Sequence, residues 1–121
     1  MKKYLILFLA ITSITCTNDG DLEMVPDGYL SKQQMVELLV DIQLIEGGII
    51  IRKMDHKKFG DDINAYYQET FKKHGLTKES FELNLKYYTD NPEKLEVVYE
   101  EVLNELSKLQ AESETQRPIK N

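Results

Sequence analysis

Cys16 is the one cysteine of this 121-residue chain, and its surroundings define a chemistry for it. Lys2 and Lys3 precede an apolar run from Tyr4 to Ile11, and Thr12-Ser13-Ile14-Thr15 leads into the cysteine. A basic start, a short apolar segment and a cleavage point just before a thiol are the parts of an export signal that ends in a lipid-attachment site. The apolar stretch is about ten residues, too short to cross a hydrocarbon core of roughly 30 Å as a helix. Attachment of acyl chains such as palmitate at Cys16 is therefore the expected chemistry. A lone thiol has no disulfide to form within the chain. Two alternatives stand beside this reading: an uncleaved N-terminal anchor, and an ordinary secretory signal with an incidental cysteine.

The remaining reactive residue types lack partners at useful spacing. His56 and His74 are the only histidines, and Arg52, Lys53, Lys57, Lys58, Lys72 and Lys73 flank them. A zinc site needs three or four ligands at defined spacing, and neighbouring cations repel a metal, so no metal or cofactor is expected. His74 reads as a residue at a helix C-terminus, interacting with exposed carbonyls. Ser31, Ser80, Ser107 and Ser113 occur without a Gly-x-Ser-x-Gly elbow. Gly47-Gly48 alone is too little for a phosphate loop. The expectation is a protein that is not an enzyme.

Binding surfaces are the other possibility. Arg52, Lys53, Lys57, Lys58, Lys72 and Lys73 form one basic patch if the first two helices are antiparallel neighbours. Such a patch is either a solvated face or a dock for an acidic partner, lipopolysaccharide or lipid phosphate. The tyrosine pairs Tyr66-Tyr67 and Tyr87-Tyr88 allow one ring of each to enter a core while its neighbour sits at the boundary. Alternatively, Tyr67 and Tyr87 belong to an aromatic partner surface. Asp41 falls on the polar side of the first helix, where it suits a tyrosine hydroxyl or a lysine.

Composition limits the rest. Cleavage before Cys16 removes Lys2 and Lys3 and no acidic residue, so a net charge of −6 becomes −8. An acidic, tethered protein is not expected to bind nucleic acid. Its contact with a membrane is expected through the N-terminal lipid anchor, and its partners are expected among envelope proteins. At this length one domain is the sensible count, and an apolar core must hold it. The expected divisions are a signal peptide over 1–15, the lipidated cysteine and tether over 16–28, a helical domain over 29–111 and a disordered tail over 112–121.

Four helices are expected within that domain, as a small all-α four-helix bundle. Ser31 and Gln34 make a capping box for the first. Met35, Leu38, Leu39, Ile42, Ile45 and Ile49 then recur at helical spacing. Gly47-Gly48 either sits at a close helix contact, with the helix running to about His56, or breaks it; continued helix is the favoured reading. Lys57 to Gly60 reads as a turn, with Asp61 or Asp62 capping a second helix that stops at His74-Gly75. Thr77 caps a third, whose stripe is Phe81, Leu85 and Tyr88, widened by Leu83 and Tyr87. Asn91-Pro92-Glu93 opens a fourth, with Leu95, Val98, Val102, Leu106 and Leu109 on its apolar side.

Ser13-Ile14-Thr15-Cys16 resembles the lipobox of bacterial lipoproteins, with Ser13 and Thr15 departing from its usual leucine and small residue. The acidic residues after Cys16 resemble weakly the surface-export signals of some Bacteroidota lipoproteins; a solvated linker is the alternative reading. The order of landmarks over about residues 1–110 is similar to that of a family of short Bacteroidota lipoproteins built on a helical domain of unknown function. Pro26, Leu30, Met35, Leu38, Leu39, Asp41 and Leu44 match its opening. Phe71, His74, Gly75, Leu76 and Phe81 match its middle. Tyr87, Tyr88, Pro92, Leu95 and Val98 match its close. Gly47-Gly48 stands where small helix formers are expected, and Asn84 where a serine commonly precedes the tyrosines. The resemblance implies a location and a fold, and no activity.

Overall fold

The computed structural model describes residues 25–116. They form α1 (Lys32–Ile51), α2 (His56–Lys73), α3 (Lys78–Asp90) and α4 (Pro92–Thr115), with no strand among the described residues. The all-α, four-helix expectation holds. Cys16 and the signal segment lie outside the described residues.

Local chemistry explains where each helix begins and ends. Ser31 Oγ accepts from the Gln34 N–H while the Gln34 side chain accepts from the Ser31 N–H, so the capping box starts α1. The helix then runs through Gly47-Gly48, but not because another helix approaches there. Among the described residues, a Cβ added at either glycine would meet nothing within 4 Å, which corrects the expectation of close packing. The helix also stops short of His56. The Lys53 N–H bonds to the Ile50 carbonyl and the Met54 N–H to the Ile49 carbonyl, with Lys53 at φ 52°. These two bonds close a Schellman motif, in which a left-handed residue satisfies the last carbonyls.

The expected turn at Lys57 to Gly60 is instead the first turn of α2. Asp55 is extended after the Schellman turn, and its carboxylate accepts from the Lys57 N–H at 2.6 Å. Asp55, rather than Asp61 or Asp62, is thus the cap. A trace of the turn survives as a kink at Phe59, whose φ of −116° and ψ of 18° are not helical. At the other end Gly75, at φ 69°, closes a second Schellman motif with the Phe71 and Lys72 carbonyls. Thr77 and Ser80 cap each other to start α3. Asn91 makes no side-chain cap for α4; its Nδ2 turns back and donates to the Tyr87 carbonyl at 2.7 Å, finishing α3. Pro92 and Glu93 begin α4 as expected, and the helix continues to Thr115, past the expected boundary at Ala111.

Helix α1 is central. It packs on α4 along one side and on α2 along another, while α3 bridges α2 and α4. Met35, Leu38, Leu39 and Ile42 of α1 meet Phe71, Tyr88, Val98 and Val102 in the core. Phe71 and Phe81 stack at 4.9 Å between ring centres and tie α2 to α3. Leu83 and Leu109 leave the expected stripes: Leu83 is 60 % exposed and Leu109 40 %. Two polar residues inside are satisfied. Asn84 accepts from the Leu30 N–H and donates to the Ser80 carbonyl, and Tyr88 donates to the Leu30 carbonyl.

Candidate functional site

The core stripe on α1 stops at Ile42, but its apolar sequence does not. Asp41, Ile45, Gly48 and Arg52 follow one another at steps of four, three and four residues, with Leu44 and Ile49 alongside, so they share one face of the helix. That face and α2 flank an open groove of about 350 Å³. Leu44, Ile45, Gly48 and Ile49 supply one side, Met54 of the connection closes the end, and Tyr66 of α2 lies opposite. Pockets that hold small ligands are typically mostly apolar, have volumes of roughly 300–1,000 Å³ and carry a few placed polar groups. Along α1 the groove runs eleven residue steps, or about 16 Å, from Asp41 to Arg52.

The two ends differ electrostatically. At one end Asp41 Oδ2 lies 2.7 Å from Lys73 Nζ and 2.7 Å from His74 Nε2. Burial alone raises the Asp41 carboxyl pKa, but hydrogen bonds and charge from Lys73 and His74 together outweigh it and hold the group below its ordinary value. Asp41 thus has the expected lysine partner and a histidine in addition. His74 is the C-cap of α2, yet its ring bonds to Asp41 and not to helix carbonyls, which corrects the expectation. It can do so because the α2 Schellman turn satisfies those carbonyls with backbone N–H groups. At the other end Arg52 forms no ion pair among the described residues.

The antiparallel pairing of α1 and α2 is as required for the basic patch, yet it divides the patch in two. Glu46 accepts from Tyr67 while Asp41 meets Lys73, so the helices run in opposite directions. Arg52, Lys53, Lys57 and Lys58 gather at the α1–α2 connection. Lys72 and Lys73 lie at the far end of α2, about 20 Å away along its axis. Beside the first group, Ile50 and Ile51 are 74 % and 83 % exposed.

The tyrosines also separate. Tyr88 is buried and Tyr87 half-buried, as the paired-ring reading expects. The Tyr87 ring centre lies 4.6 Å from that of Tyr29, and Lys94 sits over the Tyr87 ring, on a side of the molecule built from α3, the start of α4 and the segment before α1. Tyr67 is half-buried against the core, and Tyr66 faces the groove. Tyr67 and Tyr87 therefore do not share a surface. Burial, followed by the Glu46 charge, raises the Tyr67 hydroxyl pKa.

Arg52 and Lys73 of the expected basic surface line the groove, but its apolar lining belongs to no expected binding surface. Ile45 and Ile49 read as core because periodicity reports a face, not what covers it. Gly47-Gly48 was the available signal. Among the described residues, no three His, Cys, Asp or Glu side chains converge to hold a metal, and no helix is long and apolar enough to cross a membrane.

No curated protein and no solved structure matches the chain. A family model does, over residues 26–112, which spans all of the core and the groove. With well over half of its length matched, the chain belongs to the family described as a domain of unknown function, DUF4296.

Proposed function

We propose that the chain is a lipid-anchored lipoprotein of the bacterial cell envelope, in the Bacteroidota outer membrane, acting as a non-catalytic binding or accessory module. Cys16 carries this reading, because it follows a short export signal and has no other chemistry to do. Three acyl chains, as on mature bacterial lipoproteins, exceed the two signals that stable anchoring needs. The domain supports a binding role through what its polar groups already do. Asp41 and His74 are engaged with each other and with Lys73, and Asn84 and Tyr88 hold the backbone. An apolar groove that no described residue covers, and the cations at the α1–α2 connection, remain for a partner.

The test is fractionation of cells that make the natural chain or Cys16→Ala. The natural chain is expected in the membrane fraction, with its precursor accumulating when lipoprotein signal peptidase is inhibited. A cleaved Cys16→Ala protein that stays on the membrane overturns the anchor. Crosslinked pull-down from native membranes tests the accessory role and is expected to recover envelope proteins. The groove also favours a second reading, a periplasmic peptide-binding or chaperone-like module, which predicts weak binding of unfolded chains.

A further inference from the structure

Three residues around the groove run against what the local backbone favours. Gly47 and Gly48 lie inside α1, where glycine weakens a helix, and no neighbour requires their smallness. Lys53 occupies the left-handed position of a Schellman motif, where glycine fits without strain. The same motif at the end of α2 uses Gly75. Within seven residues the chain thus places glycine where a side chain would help the helix, and a cation where glycine would relieve the turn. Local choices that oppose the fold in this way gather at functional sites.

Two of these departures, Gly48 and Lys53, have a use if the groove is occupied. Gly48 keeps the floor open between Ile45 and Ile49, and Lys53 adds a second positive charge beside Arg52. Lys73, at the opposite end, is matched by Asp41 at 2.7 Å and offers little net charge to a ligand. The groove is therefore mainly apolar along its length and ends on Arg52, which has no ion-pair partner among the described residues.

We propose that the α1–α2 groove binds a single-chain anionic amphiphile, its acyl chain over Gly48 and its carboxylate or phosphate head on Arg52. The fatty acids and lysophospholipids of a membrane share this chemistry. The inference rests on the binding-module reading but not on the tether.

The test is photolabelling of the full chain in membranes with photoactivatable myristate and, separately, photoactivatable lysophosphatidate. Adducts are expected on residues 44–54 and on Tyr66, and excess unlabelled ligand should compete them away. The head group labelled at the lower concentration identifies the source. Gly48→Leu fills the floor and should lose labelling at least tenfold while its thermal midpoint stays at or above that of the natural chain. Arg52→Gln removes the guanidinium charge while keeping a polar side chain and should weaken labelling several-fold. A neutral photoactivatable alcohol of the same chain length should label the natural chain about as weakly as the acids label Arg52→Gln. The proposal is overturned if neither anion labels competitively, if Gly48→Leu labels like the natural chain, or if the alcohol labels as well as the acids. Such a failure leaves Cys16-dependent membrane retention unaffected, so the two readings fail separately.

Discussion

Tyr88 donates its hydroxyl hydrogen to the carbonyl of Leu30 at 2.8 Å, joining residues 58 positions apart. One turn earlier on α3, Asn84 accepts from the N–H of the same Leu30 at 2.6 Å. Leu30 directly precedes the Ser31 cap of α1, so α3 holds both backbone groups of the residue that leads into the central helix. This explains how the α1 entry is fixed although no extensive α1–α3 packing exists.

Removing either member of this clamp leaves a part-buried backbone group without its partner. Tyr88→Phe and Asn84→Ala are each expected to cost about 1–3 kcal/mol in urea unfolding. Because both act on one residue, the double variant should cost less than the sum of the two. Strict additivity would show that they hold Leu30 independently.

The Asp41 cluster predicts a pH dependence. The carboxyl pKa is lower folded than its ordinary 3.8. The unfolded chain therefore takes up the proton first, and the contribution is complete above the unfolded value and lost as pH falls through the folded one. Asp41→Asn should be less stable than the natural chain at pH 7 by about 1.5 kcal/mol, the lower end for hydrogen bonds to charged groups. The difference should shrink from about pH 5 downward. Thermal melts of both proteins across that range check this, and a constant gap at all pH values would contradict it.

The two Schellman turns predict opposite signs for one kind of exchange. Lys53→Gly relieves a left-handed non-glycine residue and should stabilise the protein by about 1 kcal/mol. Gly75→Ala introduces that strain at φ 69° and should destabilise it by about the same amount. Calorimetric midpoints of the two variants measure both effects.

Gly47→Ala and Gly48→Ala should each stabilise the fold by up to about 1 kcal/mol, since the added methyl meets nothing within 4 Å. Destabilisation by either would mean that the helices approach more closely than their spacing here allows. By contrast, Leu38→Ala empties a fully buried site against α4 and should cost about 2–5 kcal/mol in denaturant.

Sequence alone determined the four helices, because their causes lie within a few residues. Ser31 with Gln34, Thr77 before α3, Gly75 after α2 and Pro92 at the head of α4 act over one turn, and the apolar stripes repeat every three or four positions. The lipid-attachment reading of Cys16 is of the same local kind, though that residue lies outside the described structure. Tertiary structure decided what those stripes meet. Ile42 and Ile45 carry the same pattern, yet Ile42 joins the core with Val98 and Val102 while Ile45 lines a groove, a difference set by what packs on each part of the helix. Helix ends are far apart in space, so one antiparallel pairing both created the Asp41–Lys73 contact and separated Lys73 from Arg52. Asn84 became a backbone clamp for a related reason: a residue 54 positions away supplied its donor, and no periodicity encodes that distance.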